Sequence, residues 1–102
     1  MAVSTIGKEN VFRGLDATKV VDYGISNSIT PTVDGVWVFG GTQSTGNPLP
    51  VIYVNYSGSV IATATGTNTS GDVLMVNVPV KAGQTYTINA YRINVTTSKV
   101  FY

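Results

Sequence analysis

VPVKAGQTYTI, Val78 to Ile88, decides how the chain is read. Val78-Pro79-Val80 ends an apolar strand with a proline that cannot donate to a ladder, so the chain is expected to leave its sheet there. Lys81-Ala82-Gly83-Gln84 then forms a turn. Gly83 is the residue able to take a left-handed conformation, and Thr85 opens the next strand. Lys81 reads as a solvated turn residue.

The same alternation of apolar runs and turn residues extends in both directions. From about Val20, segments rich in Val, Ile, Tyr and Thr are separated by clusters of Gly, Asn, Ser and Pro, which is the signature of strands and tight connections. Strands are expected over residues 20–29, 35–41, 50–57, 59–66, 72–80, 84–95 and 97–102. A spacing of about 8–12 residues argues for a sandwich or barrel and against βαβ units. The stretch Glu9 to Val21 could form one short turn of helix at most, because Gly14 interrupts it.

Val33-Asp34-Gly35 and Tyr56-Ser57-Gly58 place glycine where a tight turn needs positive φ, the second joining two strands as a hairpin. Thr42–Pro50 and Thr65–Asp72 are longer polar loops, where binding is expected on a rigid scaffold. Period-two alternation gives a core of Ile52, Val54, Leu74, Val76, Val78, Tyr86, Ile88 and Ala90. In Val36-Trp37-Val38-Phe39 both faces are apolar, as expected of a central strand covered on two sides or of one that meets a second subunit.

Composition limits the chemistry. The 102 residues make one domain, divided into an N-terminal arm at 1–19 and a sandwich at 20–102. Six of the eleven charges fall within residues 1–22. Neither cysteine nor histidine occurs, which removes thiolate chemistry, the commonest metal ligand and the commonest general base near neutrality. No catalytic residue, metal ligand or cofactor is therefore expected. A net charge of +1 lacks the field that nucleic acid or anionic lipid requires. No apolar run is long enough for a membrane span, and the start reads as a mature one at its own initiator methionine. Asp34 and Asp72 adjoin glycines, where aspartate caps backbone, so a hydrolytic acid pair is not expected. N-x-S/T triplets begin at Asn55, Asn68 and Asn94; in a chain so rich in these residues they are chance occurrences.

"ITPTVDGVWVFGG", "VIYVNYSGSVIATATG" and "VLMVNVPVKAGQTYTI", in that order, carry a resemblance across residues 29–93. Thr30, Pro31, Asp34 and Gly35 open the first strand; Tyr53, Asn55 and Gly58 mark a hairpin; Pro79, Val80, Lys81, Gly83 and Gln84 form the last turn. This order resembles the jelly-roll heads of bacteriophage tail fibres and virion accessory proteins. More distantly it resembles the trimeric heads of the complement and tumour-necrosis-factor type. The resemblance implies an all-β, antiparallel jelly-roll-like sandwich behind a short N-terminal arm, located in the virion. The implied role is that of a non-enzymatic structural protein, a capsid-decorating or fibre-associated subunit. Its partners would be other capsid or tail proteins and further copies of itself, a trimer being favoured.

The alternative is a carbohydrate-binding module or receptor-binding tip that contacts a host glycan. Tyr53, Tyr91 and Arg92 are the candidate ligand residues, because flat rings stack on sugar faces. Phe12, Trp37, Val100, Phe101 and Tyr102 are the candidate interface residues; Trp37 also reads as core, and the apolar C-terminus is expected to close a sheet or meet a neighbouring subunit.

Overall fold

The computed structural model describes residues 17–102. The expected arm, apart from its last residues, and Phe12 lie outside them. Eight strands follow one another: β1 (Val20–Asp22), β2 (Ser28–Ile29), β3 (Gly35–Gln43), β4 (Val51–Tyr56), β5 (Ser59–Thr65), β6 (Val73–Val80), β7 (Tyr86–Tyr91) and β8 (Ile93–Phe101). They form two four-stranded sheets in the orders β1-β8-β3-β6 and β2-β7-β4-β5. Every pairing is antiparallel.

The pairs β1·β8, β2·β7, β3·β6 and β4·β5 are nested around the β4–β5 hairpin. The chain is thus one long antiparallel ribbon folded on itself, with its successive pairs alternating between two layers, and this makes the sandwich a jelly roll. Ser57 (φ 52) and Gly58 (φ 82) both take positive φ at the hairpin tip. That combination matches the right-handed twist of the strands it joins.

Side chains facing inward fill the space between the layers. Trp37 and Phe39 of β3, Leu74, Val76, Val78 and Val80 of β6, and Val100 of β8 meet Ile29, Ile52, Val54, Tyr86 and Ile88 of the opposite sheet. Seven of the eight expected core residues are buried, and Ala90 packs against them half-buried. Trp37 and Val100, expected at an interface, have no exposed surface and lie in this interior. They are neighbours across the β3–β8 ladder, pointing the same way. The Trp37 indole nitrogen donates to Ser98 Oγ at 3.0 Å, which explains a serine buried among aliphatics.

β3 runs to Gln43, where a strand was expected to end at residue 41, and three further strand assignments differ from expectation. Residues 20–29 are two strands in different sheets, because Gly24 N–H donates to Asp22 Oδ1 at 2.8 Å and Gly24 takes φ 70, turning the chain across. Residues 84–95 divide at Arg92, which has φ 65. The last strand begins at Ile93 and carries an irregularity, since Gly40 faces Thr97 while Gly41 faces Val95, leaving Thr96 as an extra residue. That bulge switches the inward phase: Val100 and Ser98 point inward beyond it, Val95 and Ile93 before it. Gly35 does not take positive φ; it lies instead against the Phe101 carbonyl, where a side chain would collide.

In the Val78–Ile88 stretch, β6 ends at Val80 on a sheet edge, and Gly83 takes φ 85. Tyr86 closes the turn: its hydroxyl accepts from Lys81 N–H and donates to Gln84 Oε1, both at 2.9 Å. The lysine contributes its backbone there, and its residue is exposed.

Candidate functional site

Tyr53 on β4 and Tyr91 on β7 emerge on the outer face of the β2-β7-β4-β5 sheet, 36% and 49% exposed. The ladder places Tyr53 beside Asn89, and Tyr91 beside Val51, so the two tyrosines are diagonal neighbours. Their rings meet edge to face, with centroids 6.2 Å apart and planes at 74°. Such a pair holds both rings in position without burying either. Asn89 and Thr63 flank Tyr53 from the adjoining strands, and both are exposed.

Arg92 follows Tyr91 at the corner between β7 and β8. Its carbonyl accepts from Ser44 N–H at 2.9 Å, and its Nη1 donates to the Leu49 carbonyl at 3.3 Å. Leu49 lies two residues before Val51, the cross-strand partner of Tyr91. The guanidinium is thereby tethered near the start of β4. Of the ligand candidates named from sequence, Tyr53 and Tyr91 are brought into ring contact, and Arg92 adjoins Tyr91 in the chain. No residue of β2, β4, β5 or β7 carries a formal charge at neutral pH. The patch offers ring stacking, amide and hydroxyl hydrogen bonds and one cation, a set suited to binding.

The two long loops, where binding was expected, are fastened to each other. Gln43, 2% exposed, directs Nε2 to the Thr69 carbonyl at 2.8 Å and the Thr67 carbonyl at 3.0 Å, and its Oε1 accepts from Thr67 N–H at 2.8 Å. Its backbone accepts from Gly71 N–H and donates to the Asp72 carbonyl, both at 2.8 Å, and Ser70 Oγ donates to the Ser44 carbonyl at 3.3 Å. Sequence reasoning missed this clasp. The one signal was a glutamine at an inward position of an apolar strand.

Gln43→Leu is expected to destabilise the protein by about 2 kcal/mol, because Thr67 N–H and two carbonyls lose their partner at a part-buried site. Thermal melting together with proteolysis at residues 66–72 checks this. An unchanged melt with an intact loop would contradict it.

The two candidate acids have structural partners: Asp34 Oδ1 accepts from Ala82 N–H at 2.8 Å, and Asp72 Oδ2 accepts from Thr67 Oγ1 at 2.7 Å. Among the described residues, no group of three or more acids could hold a metal ion.

Two further surfaces bear on partners. Across the outer face of the other sheet, Val20, Phe101, Val36 and Pro79 stand side by side in consecutive strands. Phe101 is half-buried there, while Tyr102 is half exposed and donates its N–H to the Lys19 carbonyl at 3.0 Å. The C-terminal residues therefore lie within a sheet, between β1 and β3.

The second surface is an edge. Of the four edge strands among the described residues, β1 and β2 have only three and two residues, and β6 carries Pro79. The fourth, β5, is seven residues of SVIATAT with neither charge nor proline, and Val60 and Ile61 are 55% and 45% exposed.

No family model, curated protein or solved structure matches this chain.

Proposed function

We propose that the protein is a non-enzymatic structural protein of a bacteriophage virion, a capsid-decorating or fibre-associated subunit that acts by joining other virion subunits and further copies of itself. The observation that carries this reading is the β5 edge. Soluble sandwiches blunt their edges with charge, proline, bulges or brevity, because a row of unpaired backbone groups templates pairing with another chain. Among the described residues, three edges are short or carry proline; β5 is long and uncharged, and a bulge at Ile61 is its only guard. Another subunit covering this edge would satisfy the open backbone groups and bury Val60 and Ile61. The apolar row Val20, Phe101, Val36 and Pro79 supplies a second joining face, and the resemblance to phage heads favours a trimer.

Native mass spectrometry and sedimentation velocity test this. The wild-type chain is expected to associate at micromolar concentration, and Val60→Lys is expected to shift it towards monomer while its far-UV circular dichroism at room temperature stays that of the folded wild type. A monomeric wild type would overturn the reading.

A second reading, recognition of a host glycan, is favoured by one specific observation, the edge-to-face pair of Tyr53 and Tyr91 held exposed on the outer sheet face. The two readings occupy opposite parts of the molecule's chemistry, an edge that wants backbone partners and a face that offers rings.

A further inference from the structure

Position 92 is where a short or flexible residue would be expected. Its φ of 65 lies in the left-handed region, which glycine adopts freely and asparagine tolerably, whereas a long side chain is strained there. The corner itself needs only the backbone, since Ser44 N–H bonds to the carbonyl of residue 92. The side chain adds one long hydrogen bond, Nη1 to the Leu49 carbonyl at an exposed site, which contributes little to folding. Strain without a folding return directs attention to the guanidinium.

Four observations define what the guanidinium faces. It is tethered two residues from Val51, the cross-strand neighbour of Tyr91, and so stands at the Tyr91 end of the tyrosine pair. Among the described residues no carboxylate is paired with it, and Asp72, the acid at that end of the sandwich, is engaged by Thr67. A guanidinium has five N–H donors, of which the contact with Leu49 uses one. The strands of the sheet beneath, β2, β4, β5 and β7, carry no charged residue.

From this we infer that Tyr53, Tyr91 and Arg92 form a subsite for a carboxylate-bearing sugar, such as a uronic or sialic acid within a glycan. The inference rests on the glycan-recognition reading and specifies its ligand. The rings take the C–H face of the sugar, and the planar fork of Arg92 takes the planar carboxylate, a match that an ammonium or a neutral amide does not reproduce.

A panel of matched oligosaccharides tests it: 3′-sialyllactose against lactose, a glucuronate-ended against a glucose-ended disaccharide, and sulfated lactose as a third arm. The wild type is expected to bind each carboxylate probe about tenfold more tightly than its neutral counterpart, with the difference shrinking as salt is raised. Arg92→Gly should reduce that preference to twofold or less, weakening the carboxylate probe more than its neutral counterpart, and should keep the melting temperature, because glycine relieves the strained φ. Tyr53→Ala should abolish binding of both members of each pair. Equal binding of acidic and neutral probes, or a preference surviving Arg92→Gly, overturns the inference and leaves glycan recognition standing. Sulfated lactose binding as well as sialyllactose overturns the carboxylate assignment. Absence of binding to every probe overturns glycan recognition itself.

Discussion

Trp37→Ala is expected to cost about 3–5 kcal/mol and to lower the melting temperature by more than about 12 °C. Trp37 has no exposed surface, and its ring contacts Phe39 at 5.7 Å and Tyr86 at 6.3 Å between centroids, so it bridges the two layers. Removing it opens a cavity at the centre of the sandwich and strands the Ser98 hydroxyl, whose hydrogen bond to the indole is buried. Against a usual total stability of about 5–15 kcal/mol, a loss of that size leaves a substantial unfolded fraction. Trp37→Phe separates the two contributions: it keeps a ring and loses the N–H, and should cost only about 1–2 kcal/mol. Far-UV circular dichroism melts of both variants check this. Were Trp37→Ala to melt within a degree or two of wild type, Trp37 could not occupy the interior.

Gly41→Ala is expected to be at least as damaging, with little folded protein recovered. A Cβ at this position would overlap the Asn94 carbonyl oxygen and come within 2.9 Å of Thr96 N. Both belong to the backbone of β8 beside its extra residue, so neither can swing aside as a side chain would. Relief requires prising β3 from β8 in the middle of the sheet, for which about 3 kcal/mol or more is a reasonable cost. Gly58→Ala is the informative contrast. Nothing lies within 4 Å of a Cβ at Gly58, and only its φ of 82 resists the methyl group. It should cost about 1 kcal/mol. Denaturant titrations of the two variants distinguish collision from conformational preference, and equal losses would contradict the placement of the bulge.

Much of this architecture is written in local residue order. Alternation in Val73–Val80 and Val51–Tyr56 identifies the buried side chains directly, because period two leaves no freedom about which face a residue joins. The tyrosine-serine-glycine hairpin and the proline-ended β6 follow from backbone chemistry that needs no tertiary context. The turn after Asp22 carries a sign too, an Asp-Tyr-Gly sequence that caps its own backbone, but residues 20–29 read as one continuous strand.

The corner at Arg92 was not legible, since arginine carries no turn preference and the left-handed conformation there is imposed by the sheets on either side. Ile93-Asn94-Val95-Thr96-Thr97-Ser98-Lys99-Val100 holds a subtler sign: its inward residues fall on odd positions, then on even ones, and only an extra residue can reconcile the two. For the candidate site, the outward placement of Tyr53 and Tyr91 followed from alternation. Their contact did not, because it depends on the β4–β7 register, which joins residues almost forty positions apart.

The nested pairing of the strands has a bearing on how the molecule comes together. Each successive pair outward from the β4–β5 tip encloses a longer segment, until Val20 meets Phe101. Since the entropy of ring closure rises with the length enclosed, the ribbon can zip from its tip, every pair formed shortening the effective loop for the next. The outermost pair is then the last to be secured and the first to fray. It is also the one that ties both ends of the sandwich to a single sheet.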